Sequence, residues 1–98
     1  MKVFKPGKQK GSPQPVVRTV DMPYSMQVYA IRLALKALES KISECEMAVY
    51  IKSQFDRSYG PGWMCIVGRS FGSYVSYAFG CFMFFELGNE AFQLFKAP

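Results

Sequence analysis

Histidine is missing from the 98 residues of this chain. That removes the side chain that most often serves as general base and as metal ligand, and most small hydrolase and nucleotidyl-transfer designs go with it. Cysteine is scarce: Cys45, Cys65 and Cys81 are odd in number and show no C-x-x-C spacing, which argues against structural zinc. Met1–Gln14 lacks the apolar centre of a secretory leader. Together with the cysteine usage, this points to a reducing, intracellular compartment. Long apolar runs are lacking too. The longest uncharged stretch, Ser70 to Phe85, is shorter than the ~20 residues of a membrane helix and is interrupted by Ser and Gly, so no membrane span is expected.

Acid is absent from one end only. Residues 1–18 hold Lys2, Lys5, Lys8, Lys10 and Arg18 and no carboxylate, which accounts for the whole net charge of +5. The remaining residues balance seven basic against seven acidic side chains. The basic character therefore belongs to a tail, whereas a nucleic-acid-binding face normally lies in the folded domain. Residues 1–15, with their Gly, Pro and Lys, read as a flexible basic leader, and 16–98 as the single domain this length can hold. Half the residues are hydrophobic and 16% aromatic, too apolar for disorder. A chain this small buries only about 60% of its unfolded surface and gains from a partner subunit.

Periodicity gives the elements. Val16–Val20 is β-branched and reads as a strand. Asp21-Met22-Pro23 looks like a helix entrance, an acceptor side chain followed by a proline tolerated in the first turn. Met26, Ala30, Leu33, Ala37 and Leu38 form a helical stripe that fades near Ser40. Ser43 stands three residues before Glu46, the spacing of a capping box, and Met47, Ile51 and Phe55 continue a second helix until Gly60-Pro61-Gly62 stops it. The period then shortens. Trp63–Val67, Phe71–Tyr77, Cys81–Leu87 and Glu90–Phe95 read as strands, with Gly88-Asn89 as a Gly-first hairpin turn. The order is β-α-α-β-β-β-β, an α+β fold with two helices packed on an antiparallel sheet.

Few residues carry chemistry. Cys65 and Cys81 have no histidine to activate them, and the carboxylates are scattered. Gly68-x-x-x-Gly72 lacks the Lys-Ser/Thr of a phosphate loop. No enzyme activity, cofactor or metal is expected. Residues 69–77 loosely resemble the RNA-binding strand of an RNA-recognition motif, but the match needs an insertion at Ser73, and strands rather than a helix follow. A nucleic-acid-binding module using the basic leader and exposed aromatics remains the alternative reading. The most informative stretch is Phe71–Tyr77, which has neither charge nor proline. Soluble proteins guard exposed sheet edges with lysine, proline or bulges, and five strands of an open sheet cannot all be internal. Either this is an ordinary central strand or some edge receives another chain.

These same residues carry a family resemblance. The run Ile51-Lys52-x-x-Phe55-Asp56-x-x-Tyr59-x-Pro61-x-Trp63-x-Cys65-Ile66-Val67-Gly68-Arg69-x-Phe71-Gly72-Ser73-Tyr74-Val75 resembles the hub-type, eight-kilodalton class of cytoplasmic dynein light chains. Asp21-Met22 with Met26, and the closing Leu94-Phe95-Lys96, extend the likeness over about residues 16–96. The resemblance implies a strand-swapped homodimer with two grooves. In each, a short linear peptide adds as a strand, taking affinity from main-chain hydrogen bonds and specificity from side-chain pockets. The implied peptide-binding residues are Phe71, Gly72, Ser73, Tyr74, Val75, Ser76 and Tyr77. Phe82 and Phe84 floor the pockets or are plain core; Glu44 and Cys45 meet the peptide or are a solvated helix end; Glu86 puts a negative charge beside the groove. Gly72 either admits the peptide backbone or marks a bulge. Lys52, Trp63, Met64, Cys65, Ser73 and Val75 belong to the implied dimer interface, with core packing the other reading of Trp63. The implied partners are the dynein intermediate chain and other motif-bearing proteins in a cytoplasmic, cytoskeleton-associated, microtubule-motor setting. Met64 stands where the family usually has a histidine whose protonation loosens the dimer, so no such mild-acid switch is expected here. Cys45 and Tyr77 also depart from the family pattern.

Overall fold

A computed structural model describes residues 1–5 and 13–98. Its elements run β1 (Val16–Asp21), α1 (Tyr24–Glu39), α2 (Glu44–Tyr59), β2 (Trp63–Gly68), β3 (Phe82–Leu87) and β4 (Glu90–Lys96). The four strands form one antiparallel sheet in the order β1-β3-β4-β2, so β1 and β2 are its edges. Both helices pack on one face of it.

Local chemistry explains the helix limits. The Ser43 hydroxyl accepts from Glu46 N at 3.1 Å while the Glu46 carboxylate accepts from Ser43 N at 3.2 Å, the reciprocal box expected from the spacing. Gly60 ends α2 at φ +87°, a conformation that L side chains resist. The entrance to α1 differs from expectation. Pro23 lies just outside the helix rather than in its first turn, and no side chain caps it. Asp21 belongs to β1, and its carboxylate accepts from Gly80 N at 3.0 Å instead. A contact between residues distant in sequence has displaced the local cap.

The core lies between the helices and the inner sheet face. Ala30, Leu33, Ala34 and Ala37 of α1 and Met47, Ile51 and Phe55 of α2 are buried against Met83, Phe85, Phe92 and Leu94. Phe85 and Phe92 face each other in register, their rings stacked at 5.1 Å. Trp63 meets Phe55 edge-on at 4.8 Å and is 1% exposed. The β3–β4 turn at Gly88-Asn89 is the expected hairpin, with Gly88 at φ +63°.

One expected strand forms no ladder. Phe71–Tyr77 pairs with no described strand, and none of its main-chain groups hydrogen-bonds to another described residue. A strand exists by its ladder, so alternation of side chains alone does not make one. The chain rejoins the sheet where Ala78 N donates to Lys96 O at 2.8 Å.

Of the basic leader, residues 6–12 lie outside the described residues. Met1–Lys5 lie against α1. Buried Gln27 accepts from Phe4 N at 2.8 Å and donates to Lys2 O at 2.9 Å and Met22 O at 2.7 Å. Lys2 Nζ sits 4.4 Å above the Tyr24 ring. Gln27→Leu orphans these groups and costs about 1–3 kcal/mol, measured as a lower unfolding midpoint in urea together with faster amide exchange at Phe4.

Candidate functional site

Strand alternation sends Phe82, Phe84, Gln93, Phe95, Met64 and Ile66 to the sheet face that the helices leave uncovered. The 71–77 stretch crosses this face. The Phe71 ring meets Phe84 edge-on at 5.8 Å, the Ser73 hydroxyl donates to Gln93 Oε1 at 2.7 Å, and Tyr77 stacks on Phe82 at 4.7 Å. Between stretch and sheet lies a cavity of about 430 Å³ lined by Val75, Tyr74 and Thr19 as well as by these aromatics. Phe82 and Phe84 line it from the sheet side. Tyr74 projects fully into solvent, Ser76 is exposed, and the space above Gly72 is open.

The β2 edge runs beside this groove. Trp63-Met64-Cys65-Ile66-Val67-Gly68 carries no lysine or proline to guard it. Met64 and Ile66 are 48% and 38% exposed. The Trp63 indole, by contrast, points into the core, so only its main chain belongs to the edge. The Trp63 main-chain N–H donates to Asp56 Oδ1 at 3.0 Å, and Asp56 is also paired with Lys52. The Lys52 contact first, then the Trp63 amide, holds the Asp56 carboxyl below the usual carboxylate range. Cys65 likewise faces inward. Burial pushes its thiol up to about 12, so it stays protonated and unreactive at neutral pH.

The residues expected at the α2 entrance separate. Glu44 borders a recess shared with Met47, Arg69 and Glu90, whereas exposed Cys45 borders another with Val49 and Tyr50. Glu86 is not a free charge: Arg18, at the β1 bulge, reaches its carboxylate at 2.7 Å. Glu90 sits with its side chain 11% exposed and 3.6 Å from Arg69. Burial and then the neighbouring Glu44 raise its pKa, against the lowering effect of Arg69. The folded state therefore holds the Glu90 proton more tightly than the unfolded chain, and this group's contribution to stability is lost as pH rises through its folded value. Glu90→Gln raises the thermal midpoint at pH 7, and the gain vanishes below the ordinary value of 4.5; paired melting curves across that window check it. Sequence reading missed Gln93, Arg18, Arg69 and Glu90. For Gln93 a signal was present, as the one polar residue inside Ala91-Phe92-Gln93-Leu94-Phe95.

Among the described residues no cluster of Cys, Asp or Glu could hold a metal ion, and no helix is long and apolar enough to cross a membrane. A helix pair covers one face of a small antiparallel sheet, and an extended stretch crosses the other beside an unguarded edge strand. A family model described as dynein light chain type 1 matches residues 14–97, and the chain belongs to the dynein light chain family. The family is generally non-catalytic and implies dynein-associated protein partners and a light-chain or adaptor role. The comparisons give no support to nucleic-acid binding.

Solved structures share the fold. The dynein light chain-like domain of the Fasciola hepatica calcium binding protein FhCaBP2, in its native form, superposes with a TM-score of 0.78 at 16% identity, covering 94% of this chain and 99% of that one. Its mercury derivative gives 0.73 at 19% identity, covering 86% and 92%. The corresponding domain of CsTAL3 gives 0.70 at 21% identity, covering 84% and 90%.

Proposed function

We propose that this chain is a non-catalytic homodimeric hub. Two copies pair along their β2 edges and exchange the Phe71–Tyr77 stretch, and each groove takes a short linear peptide as an added strand. The product is a dynein-motor light chain or a dimerisation clamp that works in the cytoplasm at the cytoskeleton, with the dynein intermediate chain among its clients.

One observation carries this reading. Seven consecutive residues without proline or charge leave their main-chain groups without partners among the described residues, beside an apolar floor. Each main-chain hydrogen bond to a peptide nets about 0.5–1.5 kcal/mol, so a single motif binds weakly to moderately. A dimeric client meets the second groove at roughly millimolar effective concentration and is held far more firmly.

The test is an array of linear peptides probed with the purified protein, followed by titration of the best binders as monomers and as fused dimers. Selected peptides that bind, with the fused forms tighter by orders of magnitude, support the proposal. No peptide binding, or equal affinity of the two forms, defeats it.

A further inference from the structure

The excess positive charge sits on a part of the fold that the groove does not use. Residues 1–41 hold eight basic and two acidic side chains, whereas 42–98 hold four and five. Arg18, Lys52 and Arg69 each reach a carboxylate. Lys2, Lys5, Arg32 and Lys36 are exposed and reach none among the described residues. Arg32 and Lys36 stand one turn apart on the outer side of α1, whose inner residues Leu33, Ala34 and Ala37 are buried. Lys2 and Lys5 are brought to the same helix. Gln27 holds Phe4 N and Lys2 O, and the Phe4 ring stacks on Tyr24 at 6.4 Å. Near the far end of α1, Pro13 and Leu38 meet at Gly88. The described parts of the leader are thus fastened at both ends of α1.

We infer that this face of α1, with Lys2, Lys5, Arg32 and Lys36, docks an acidic, extended segment of a partner polypeptide. The 16 residues of α1 span about 24 Å, the length of about seven extended residues. The four cations have no internal carboxylate to give up, so an approaching acidic chain displaces only water and salt ions. Tyr24, the ring here that could stack on a base, is covered by Lys2 Nζ at 4.4 Å, which disfavours nucleic acid. Phe4, the leader's only aromatic residue, turns inward. The exposed large apolar side chains on this face are Met1 and Val3 among the described residues, too few to anchor it in lipid. The face lies across the sheet from the groove and stays open whatever the groove holds.

The test is titration of the full chain into a fluorescein-labelled decaglutamate peptide at about 0.1 M salt, where charges further apart than about 10 Å are screened. Anisotropy shows binding that weakens as salt rises. Arg32→Glu and Lys36→Glu each weaken it by about tenfold. Arg57→Glu removes as much charge from the exposed end of α2 and changes it by less than about threefold. Gln27→Leu keeps every charge but frees the leader, and weakens binding by about fivefold. Circular dichroism shows that each variant is folded. A peptide that does not bind overturns the inference. So does an Arg57→Glu effect as large as that of Arg32→Glu, because net charge alone would then be read. Full affinity in Gln27→Leu overturns it as well, since the leader would then act as a loose tail. Phosphatidylserine vesicles or a single-stranded oligonucleotide binding more tightly than the peptide at the same salt would move the face to lipid or nucleic acid and overturn it too.

Discussion

Met64→Lys converts the proposed dimer into a monomer. The side chain stands on the unguarded β2 edge, about half exposed in the single chain, opposite Phe95 in the ladder and pointing away from the helices. In the two-fold dimer the side chain is covered by the partner's surface, so the substitution strips water from an ammonium with no counter-charge to meet it. Burying an unpaired charge at an interface costs several kcal/mol, and each 1.4 kcal/mol is a factor of ten in affinity. The dimer constant weakens by at least about a hundredfold. Sedimentation equilibrium on wild type, Met64→Lys and a volume-conserving Met64→Leu control reads the effect. A lysine variant that sediments as the wild type does would move the seam away from β2. Under the proposed exchange of Phe71–Tyr77, peptide binding is lost together with dimerisation.

Phe55→Ala produces the largest loss of stability. Phe55 is fully buried and meets Trp63, Tyr59 and Tyr29 at ring-centroid distances of 4.8, 5.1 and 5.5 Å. It is the joint between α2 and β2. Truncation removes the transfer energy of the ring and leaves a cavity that aromatic neighbours cannot close, a loss of about 3–5 kcal/mol. Small domains are stable by only about 5–15 kcal/mol in total, and near this size each kcal/mol moves the midpoint by roughly 4–8 °C. Calorimetry should show a fall of more than about 12 °C. A smaller shift means that the aromatic cluster collapses into the space.

Locally coded features were legible in the sequence. The Ser43–Glu46 box, the Gly60-Pro61-Gly62 stop and the Gly88-Asn89 turn each depend on residues within a few positions of one another, and the helices and turn formed where these signals place them. The apolar runs at Trp63–Val67 and Glu90–Phe95 gave strands within a residue of their ends. Features that depend on which segments meet in space were not legible. Asp21 looked like a cap because nothing local reveals Gly80 as its donor. The Arg18–Glu86 pair joins residues 68 positions apart, so Glu86 read as a lone charge. Trp63 and Cys65 could be assigned to the edge strand, but which side of it they take follows from where α2 sits. Gln93 was overlooked for a related reason. A polar residue in a strand is unremarkable until the opposite face is known to be roofed by the chain's own Ser73.

The bare main chain of Phe71–Tyr77 has a second consequence. Proteases engage substrates as extended strands, so an extended stretch with bare amides and carbonyls offers those groups to a cleft that cuts. Tyr74 and Phe79 stand almost entirely in solvent along this path, as side chains that a chymotrypsin-type specificity pocket accepts. Under the proposed peptide binding, occupancy and survival are coupled: a peptide that fills the stretch also shelters it, and the unoccupied chain is the one exposed to cleavage.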